Sequence, residues 1–327
     1  MSLARGENLS YIGPMSSSDR RPFEPNLERC ACCPRGCGAD RTASPLGWCR
    51  SGADLSIGSI CAHRGEEPVI SGPHGICNIF FTRCNLQCVY CQNYDISRTH
   101  EPIIETAMSY DRLADRVEEH LDRGCPSVGF VSPSHYYPQM LRIIDVLAAR
   151  GRRPVYVCNT NGYDRVEAIR RLEGIIDVYL PDFKYMDERL AREFSQAPRY
   201  PEIAAAAIGE MFRQMGAEIE LGADGLIRRG LVIRHLVLPG QVQNSIEVLR
   251  CIAECFSPDC HLSLMSQYWP TPAVARHPTL GRRVLRDEYD EVLEAMERLG
   301  FTRGWVQELG SSEHYRPDFM RDHPFEP

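Results

Sequence analysis

Ile76-Cys77-Asn78-Ile79-Phe80-Phe81, running directly into Thr82-Arg83-Cys84-Asn85-Leu86-Gln87-Cys88-Val89-Tyr90-Cys91-Gln92-Asn93, is the stretch on which the fold of this chain turns. Its first six residues form a short apolar run, the mark of a buried strand. The next twelve carry three cysteines spaced C-x3-C-x2-C. Soft thiolates so close together suit an iron-sulfur cluster or zinc. A structural metal site normally closes with four ligands, so three in one loop leave a position open for a substrate or cofactor. The competing reading is a zinc knuckle completed by Cys77 or a distant histidine.

Working outward, similar apolar runs recur at Ser127 to Val131, Val155 to Cys158, Ile175 to Leu180, Leu231 to Leu238 and His261 to Met265. Between them lie helical patterns. Leu113, Val117 and Leu121 recur every four residues behind a capping Ser109, Leu141, Ile144 and Leu147 repeat the pattern, and so do Val166, Ile169 and Leu172. Longer helices are expected over Tyr200 to Met215, Ser245 to Cys255 and Arg286 to Leu299. Parallel strands need a crossover, usually a helix, so six strand-helix units predict a parallel sheet. Six are too few to close an eight-stranded barrel. The expected fold is α/β, an open, partial (β/α)6 TIM-like barrel, with a doubly wound flat sheet as the alternative. In either, chemistry belongs at the carboxyl ends of the strands, where the three-cysteine loop sits. The expected organisation is an arm and cysteine-rich metal-binding extension over residues 1–75, a core barrel over 76–270 and a helical and strand extension over 271–327. That last part contains an amphipathic helix with Leu285, Tyr289, Leu293 and Met296, then Trp305 to Leu309 and a polar tail.

The chain has 327 residues, 43% hydrophobic and 25% charged, an ordinary globular balance. No apolar run approaches a membrane span, and Met1 to Pro14 lacks an apolar signal-peptide region, so a cytoplasmic protein without membrane partners is expected. A net charge of −7 leaves no electrostatic footprint for nucleic acid, and the clusters Arg150, Arg152, Arg153 and Arg228, Arg229 read as solvated faces. Residues 16 to 26 read as a loose polar arm. Fifteen cysteines in a reducing compartment raise metal binding rather than disulfides. Ten of them fall between Cys30 and Cys91, whereas Cys125, Cys158, Cys251, Cys255 and Cys260 read as small core residues.

The loop from Cys84 to Cys91, with the aromatic Tyr90 before its third cysteine, resembles the signature of the radical S-adenosylmethionine (SAM) superfamily. Within that superfamily the chain is most similar to the pyruvate formate-lyase-activating enzymes and their uncharacterised homologues, over about residues 76 to 270. Asn159-Thr160-Asn161-Gly162, Asp182-Phe183-Lys184 and Arg234-His235-Leu236-Val237-Leu238-Pro239-Gly240 carry the rest of the resemblance. It implies that Cys84, Cys88 and Cys91 bind three irons of a [4Fe-4S] cluster while the SAM amino and carboxylate groups chelate the fourth, and that Tyr90 packs beside the adenine. One electron from the cluster would then split SAM into methionine and a 5'-deoxyadenosyl radical that abstracts hydrogen from a substrate. A flavodoxin or ferredoxin would supply the electron.

All three downstream segments end predicted strands. The side chains of Asn159, Thr160 and Asn161 suit hydrogen bonds to a ribose or carboxylate, and Gly162 a tight turn. Asp182 and Lys184 share one side of an extended segment, which turns a carboxylate and an ammonium to a common pocket. In the family the matching pair lies near SAM, so Lys184 is a candidate catalytic residue and Asp182 a cofactor contact. Arg234, the second candidate catalytic residue, offers a fork for a carboxylate of SAM or substrate, or a structural ion pair. The chain also departs from the family. Ser132-Pro133-Ser134-His135-Tyr136 stands where Gly-Gly-Glu is common, leaving Ser134 or backbone carbonyls for the SAM amino group. Asn159 replaces an aspartate, and Trp269 a histidine.

Cys30, Cys33, Cys37 and Cys49, spaced C-x2-C-x3-C-x11-C, stand in a segment without periodicity, where metal binding can supply folding energy. A second iron-sulfur cluster is favoured there over zinc, since the spacing is not the paired C-x2-C of zinc ribbons. The activity expected is an oxidoreductase-type abstraction of hydrogen from a protein, peptide or small molecule, including activation of a glycyl-radical enzyme. Transfer of a methyl or aminocarboxypropyl group is the rival enzyme class, and a zinc-stabilised, non-catalytic binding protein is the rival outside enzymes.

Overall fold

A computed structural model describes residues 26–43, 47–100, 102–310, 317–321 and 323–325. The polar arm expected over residues 16 to 26 lies outside them apart from Asn26. No described helix is long and apolar enough to cross a membrane.

All six predicted apolar runs are strands. In chain order the strands are β1 (Ser56–His63), β2 (Ile76–Phe81), β3 (Thr106–Ala107), β4 (Ser127–Val131), β5 (Val155–Thr160), β6 (Val178–Pro181), β7 (Glu220–Leu221), β8 (Ile227–Leu236), β9 (His261–Met265) and β10 (Gly304–Val306). The helices are α1 (Pro68–Ser71), α2 (Tyr94–Ser97), α3 (Tyr110–Asp122), α4 (Tyr137–Ala149), α5 (Val166–Arg171), α6 (Glu188–Ser195), α7 (Tyr200–Met215), α8 (Val242–Cys255) and α9 (Arg286–Arg298). The sheet runs β10-β9-β8-β6-β5-β4-β2-β1-β3, with β7 attached to β8. Every pair from β2 to β10 along this path is parallel, while β1 lies antiparallel on β2. β2 and β4 are buried on both faces, which explains their continuous apolar runs.

The face occupied by helices separates the two expected folds. Side chains from α3 to α9 all pack into one cluster with Ile79, Phe81, Phe130, Tyr156, Tyr179, Ile233 and Leu264. The opposite face of the sheet holds Ile76, Val157, Val178, Leu180 and Val232 around Ile70 of α1. Crossover helices on one face only make an open TIM-like barrel, not a doubly wound sheet.

Several elements escaped the sequence reading. β1 lies in the stretch read as aperiodic, and its pairing carries the sheet beyond residue 75. β10 adds a seventh parallel strand beside β9 and leaves the sheet open. The tail is not simply polar: Phe319 and Phe325 pack on Phe80 on the inner face, each with ring centroids 5.5 Å away. Leu285 is exposed, so the buried stripe of α9 is Tyr289, Val292 and Ala295. Among the scattered cysteines, Cys125, Cys158 and Cys260 are core residues, but Cys251 is half-buried and Cys255 exposed on α8. Arg150 and Arg152 pair with acids of α3, Arg153 with Asp177 and Arg228 with Asp224, which accounts for these basic clusters.

Candidate active site

β2 ends at Phe81, and Arg83 takes a left-handed conformation with φ of 63° that swings the chain out of the sheet. The cysteine loop that follows is tied down by its backbone. Gln87 N donates to Ser195 O at 3.1 Å and Val89 N to Phe194 O at 2.8 Å, both carbonyls at the end of α6. Thr271 Oγ1 donates to Val89 O at 2.6 Å, and Gln92 Nε2 to Gln267 O at 2.8 Å, from the segment after β9.

Each sulfur of the loop has a donor aimed at it. Asn161 Nδ2 donates to Cys84 Sγ at 3.4 Å, Ser195 Oγ to Cys88 Sγ at 2.9 Å and Ser97 Oγ to Cys91 Sγ at 3.3 Å. Burial pushes the Cys88 thiol up to about 11, against the pull of the Lys184 ammonium. Burial and then the neighbouring Cys88 raise Cys84. Crowded sulfurs, that of Cys84 buried and those of Cys88 and Cys91 half-buried, surrounded by donors and a cation, fit an iron-sulfur cluster, whose irons hold the thiolate form and whose sulfurs take hydrogen bonds. Among the described residues no three Cys, His, Asp or Glu side chains surround a single ion. Thiolates on separate irons of a cluster need no such convergence.

The strand-end residues fall into two groups. On the inner side, Asn161 holds Asn85 Oδ1 at 2.8 Å beside its bond to Cys84, and Lys184 Nζ meets Asp182 Oδ2 at 2.5 Å. Burial alone would lower the Lys184 ammonium, but Asp182 and Cys88 hold it above its usual range. Gly162 permits close approach here, because a Cβ would collide with the Asp182 carbonyl. Asn159 points the same way and reaches Glu66 Oε1 at 3.4 Å. Ser134 and Thr160, in contrast, are fully buried, their hydroxyls 3.2 Å apart, with Thr160 bonded to Asp164 and Tyr137 closing the knot at 2.8 Å. Burial raises the Asp164 carboxyl. These two hydroxyls are therefore occupied inside the core, where a contact to SAM was expected of them; Thr160 turns away from Asn159 and Asn161 because alternate residues of a strand point to opposite faces.

Two further expectations are corrected. The Arg234 fork is already filled, with Nη2 2.5 Å from Glu66 Oε2 and Nε 2.9 Å from Glu67 Oε1. Glu66 also accepts from Asn78 at 2.9 Å, and Arg234 holds its carboxyl well below the usual range against burial. Arg234 thus locks the segment after β1 inside the barrel instead of offering a free fork. Tyr90 is turned into the core: its ring lies 6.0 Å from that of Tyr268, and its hydroxyl bonds Tyr185 at 2.5 Å. Tyr185 in turn bonds Ser195 at 2.7 Å, so Tyr90 reaches Cys88 through hydroxyls. Trp269 lies under the Arg283 guanidinium at 4.0 Å. Glu66, Glu67, Tyr185 and Ser195 carried no signal in the sequence, because no pattern or motif marks them.

Cys30, Cys33 and Cys49 are buried and Cys37 is exposed. Burial pushes the Cys33 thiol up to about 12, with Cys49, Cys30 and Cys37 adding to the rise. Cys32, fully buried, shares a hydrogen bond with Cys30 that raises Cys32 and lowers Cys30. The buried Arg41 anchors this segment, donating to Gly52 O at 2.7 Å and to His135 O at 2.5 Å.

Residues 78–250, more than half of the chain, match the radical SAM superfamily. An uncharacterised protein of Methanocaldococcus jannaschii is 26% identical over 295 residues, covering 89% of this chain and 81% of that protein. Two solved structures are similar. A domain of pyruvate-formate lyase-activating enzyme from Bacteroides vulgatus is 14% identical with a TM-score of 0.37, over 53% of this chain and 93% of that one. Methylornithine synthase is 13% identical with a TM-score of 0.47, over 70% of this chain and 63% of that one.

Proposed function

This chain belongs to the radical SAM superfamily, and from that premise we propose that it is an oxidoreductase-type member that takes hydrogen from a protein, peptide or small-molecule substrate. Membership carries a [4Fe-4S] cluster, SAM, and a need for an electron donor and a substrate. When bound, the cluster supplies the electron that splits SAM into methionine and a 5'-deoxyadenosyl radical.

The observation that supports the reading most is the ring of donors, one to each sulfur of Cys84, Cys88 and Cys91, at the carboxyl end of β2. In this reading those thiolates hold three irons, and the Lys184 and Asp182 pair across the barrel mouth receives the charged end of SAM. Asn161 orients both the loop and the ligand. Asn159 faces the substrate side, while Tyr90, Ser134 and Thr160 act from behind by fixing the loop and the strand ends. Arg234 keeps the barrel interior closed with Glu66 and Glu67. The electron would enter from a flavodoxin or ferredoxin. Activation of a glycyl-radical enzyme is one form the hydrogen abstraction would take.

A second metal centre, an iron-sulfur cluster rather than zinc, belongs to Cys30, Cys33, Cys37 and Cys49. Its support is that the charges of Cys49, Cys30 and Cys37 all act on Cys33, within a segment whose described residues form no strand or helix.

Anaerobic reconstitution with iron and sulfide, followed by dithionite and SAM, is expected to yield 5'-deoxyadenosine. S-adenosylhomocysteine or methylthioadenosine instead would assign group transfer. No product from protein with an intact cluster would sink the enzymatic reading, and zinc without iron in anaerobically purified protein would assign a binding role.

A further inference from the structure

Arg35 sits in the middle of Cys33-Pro34-Arg35-Gly36-Cys37, yet its side chain leaves that segment and reaches the catalytic loop. Its guanidinium lies 3.9 Å from the centroid of Trp48 and 5.2 Å from that of Tyr163, a stack that restricts its planar group. From there Nε donates to Asn85 O at 3.0 Å, and Nη2 donates to Gln196 O. Trp48 Nε1 reaches the same Asn85 carbonyl at 3.1 Å.

The two acceptors are informative because each adjoins a different thiolate. Asn85 follows Cys84 in the chain. Gln196 follows Ser195, whose hydroxyl bonds Cys88 Sγ at 2.9 Å and whose carbonyl holds Gln87 N at 3.1 Å. One guanidinium therefore ties together the Cys84 side and the Cys88 side of the loop. Burial lowers the Arg35 guanidinium, and Tyr163, Cys33, Cys84 and Cys88 act against that fall. Lys184, a cation that also acts on Cys88, is offset by Asp182 at 2.5 Å.

We infer that Arg35 is a positioning residue of the catalytic centre, clamping the thiolate loop through Asn85 and Gln196 and supplying the positive charge that favours the reduced cluster. This rests on the proposal that Cys84, Cys88 and Cys91 hold a [4Fe-4S] cluster. Reduction adds negative charge to a site that already carries three thiolates, so a nearby cation raises its potential. The cysteine-rich segment thereby becomes part of the catalytic centre without ligating its cluster.

The test compares Arg35→Gln, which removes the charge, with Arg35→Lys, which keeps it but loses the fork. Both are reconstituted anaerobically as full-length protein, and cluster reduction is followed by EPR in a potentiometric titration. At the wild-type midpoint, Arg35→Gln is expected to lower the reduced-to-oxidised ratio about tenfold, equivalent to about 59 mV for one electron, and Arg35→Lys to stay within about twofold. Cluster loss in Arg35→Gln with retention in Arg35→Lys would also support the assignment. A wild-type ratio in Arg35→Gln at full iron content would overturn it, as would cluster loss in both variants alike, which would make Arg35 a structural clamp only. Failure of the wild type itself to show a [4Fe-4S] signal would instead remove the underlying proposal.

Discussion

Cys84, Cys88 and Cys91 leave the end of a strand buried on both faces and are pinned by backbone bonds to α6, whereas Cys30, Cys33, Cys37 and Cys49 lie in a stretch whose described residues form neither strand nor helix. The first set is positioned by the barrel. The second is held by its own turns, Cys30 N donating to Ala39 O at 2.8 Å and Gly38 N to Cys30 O at 2.9 Å, and is tied to the rest by Arg35, which reaches the catalytic loop, and Arg41, which reaches the carbonyls of Gly52 and His135. One site takes its geometry from the sheet, while the other takes it from local turns, long side chains and, when bound, metal.

Removing a thiolate should separate the two sites by the largest effect. Cys88→Ser should abolish 5'-deoxyadenosine formation, whereas Cys33→Ser should lose the iron of the N-terminal site and keep the SAM-responsive EPR signal of the other. Equal loss of both signals in Cys33→Ser would show that the two sites assemble as one.

Next in size are the two buried arginines. Arg234→Met leaves Glu66 and Glu67 uncompensated inside the barrel and should cost about 3–5 kcal/mol of stability in urea unfolding. Arg41→Met removes charged hydrogen bonds to the Gly52 and His135 carbonyls and to Cys30 Sγ at 3.9 Å, and should cost about 2 kcal/mol, with earlier proteolysis of the N-terminal segment as its signature.

Acid should act on both regions through buried histidines. Burial depresses His135, beneath the N-terminal segment, to about 3, and His235, between β8 and α8, to about 4. Both lie below the ordinary 6.5, so the unfolded chain binds more protons as the pH falls below that value. Stability is therefore lost from pH 6.5 downward, until about 4 for His235 and about 3 for His135, at about 1.4 kcal/mol per unit for each. Urea midpoints measured between pH 6.5 and 5 should show it, with a shallower slope in His235→Gln.

The smallest expected effect is at Ser195→Ala, which removes the hydroxyl on Cys88 Sγ and breaks the path to Tyr90. About 1 kcal/mol of loop stability should go, read as faster loss of cluster iron to a chelator at unchanged iron content on assembly.

Much of the fold was legible because it is local. Apolar runs and four-residue spacings mark strands and helices wherever burial is one-sided or complete, and Ser109 caps α3 as its sequence position suggested. β1 escaped because it carries Gly58, Ser59 and Cys61 amid a cysteine-rich stretch, and β10 because it is three residues long. At the site, the three cysteines and the Asp182 and Lys184 alternation were readable as spacing, but the facing of Thr160 and the occupation of the Arg234 fork were not.

The sequence by itself determined an α/β chain whose first core strand delivers three thiolates to its carboxyl end, because periodicity and cysteine spacing are properties of neighbouring residues. Only the tertiary structure decided that the helices share one face, that Glu66 and Glu67 meet Arg234, and that Arg35 crosses to Asn85 and Gln196. These pairings join residues as many as 168 positions apart, and complementary charge and hydrogen bonding select them only once the sheet has brought them together.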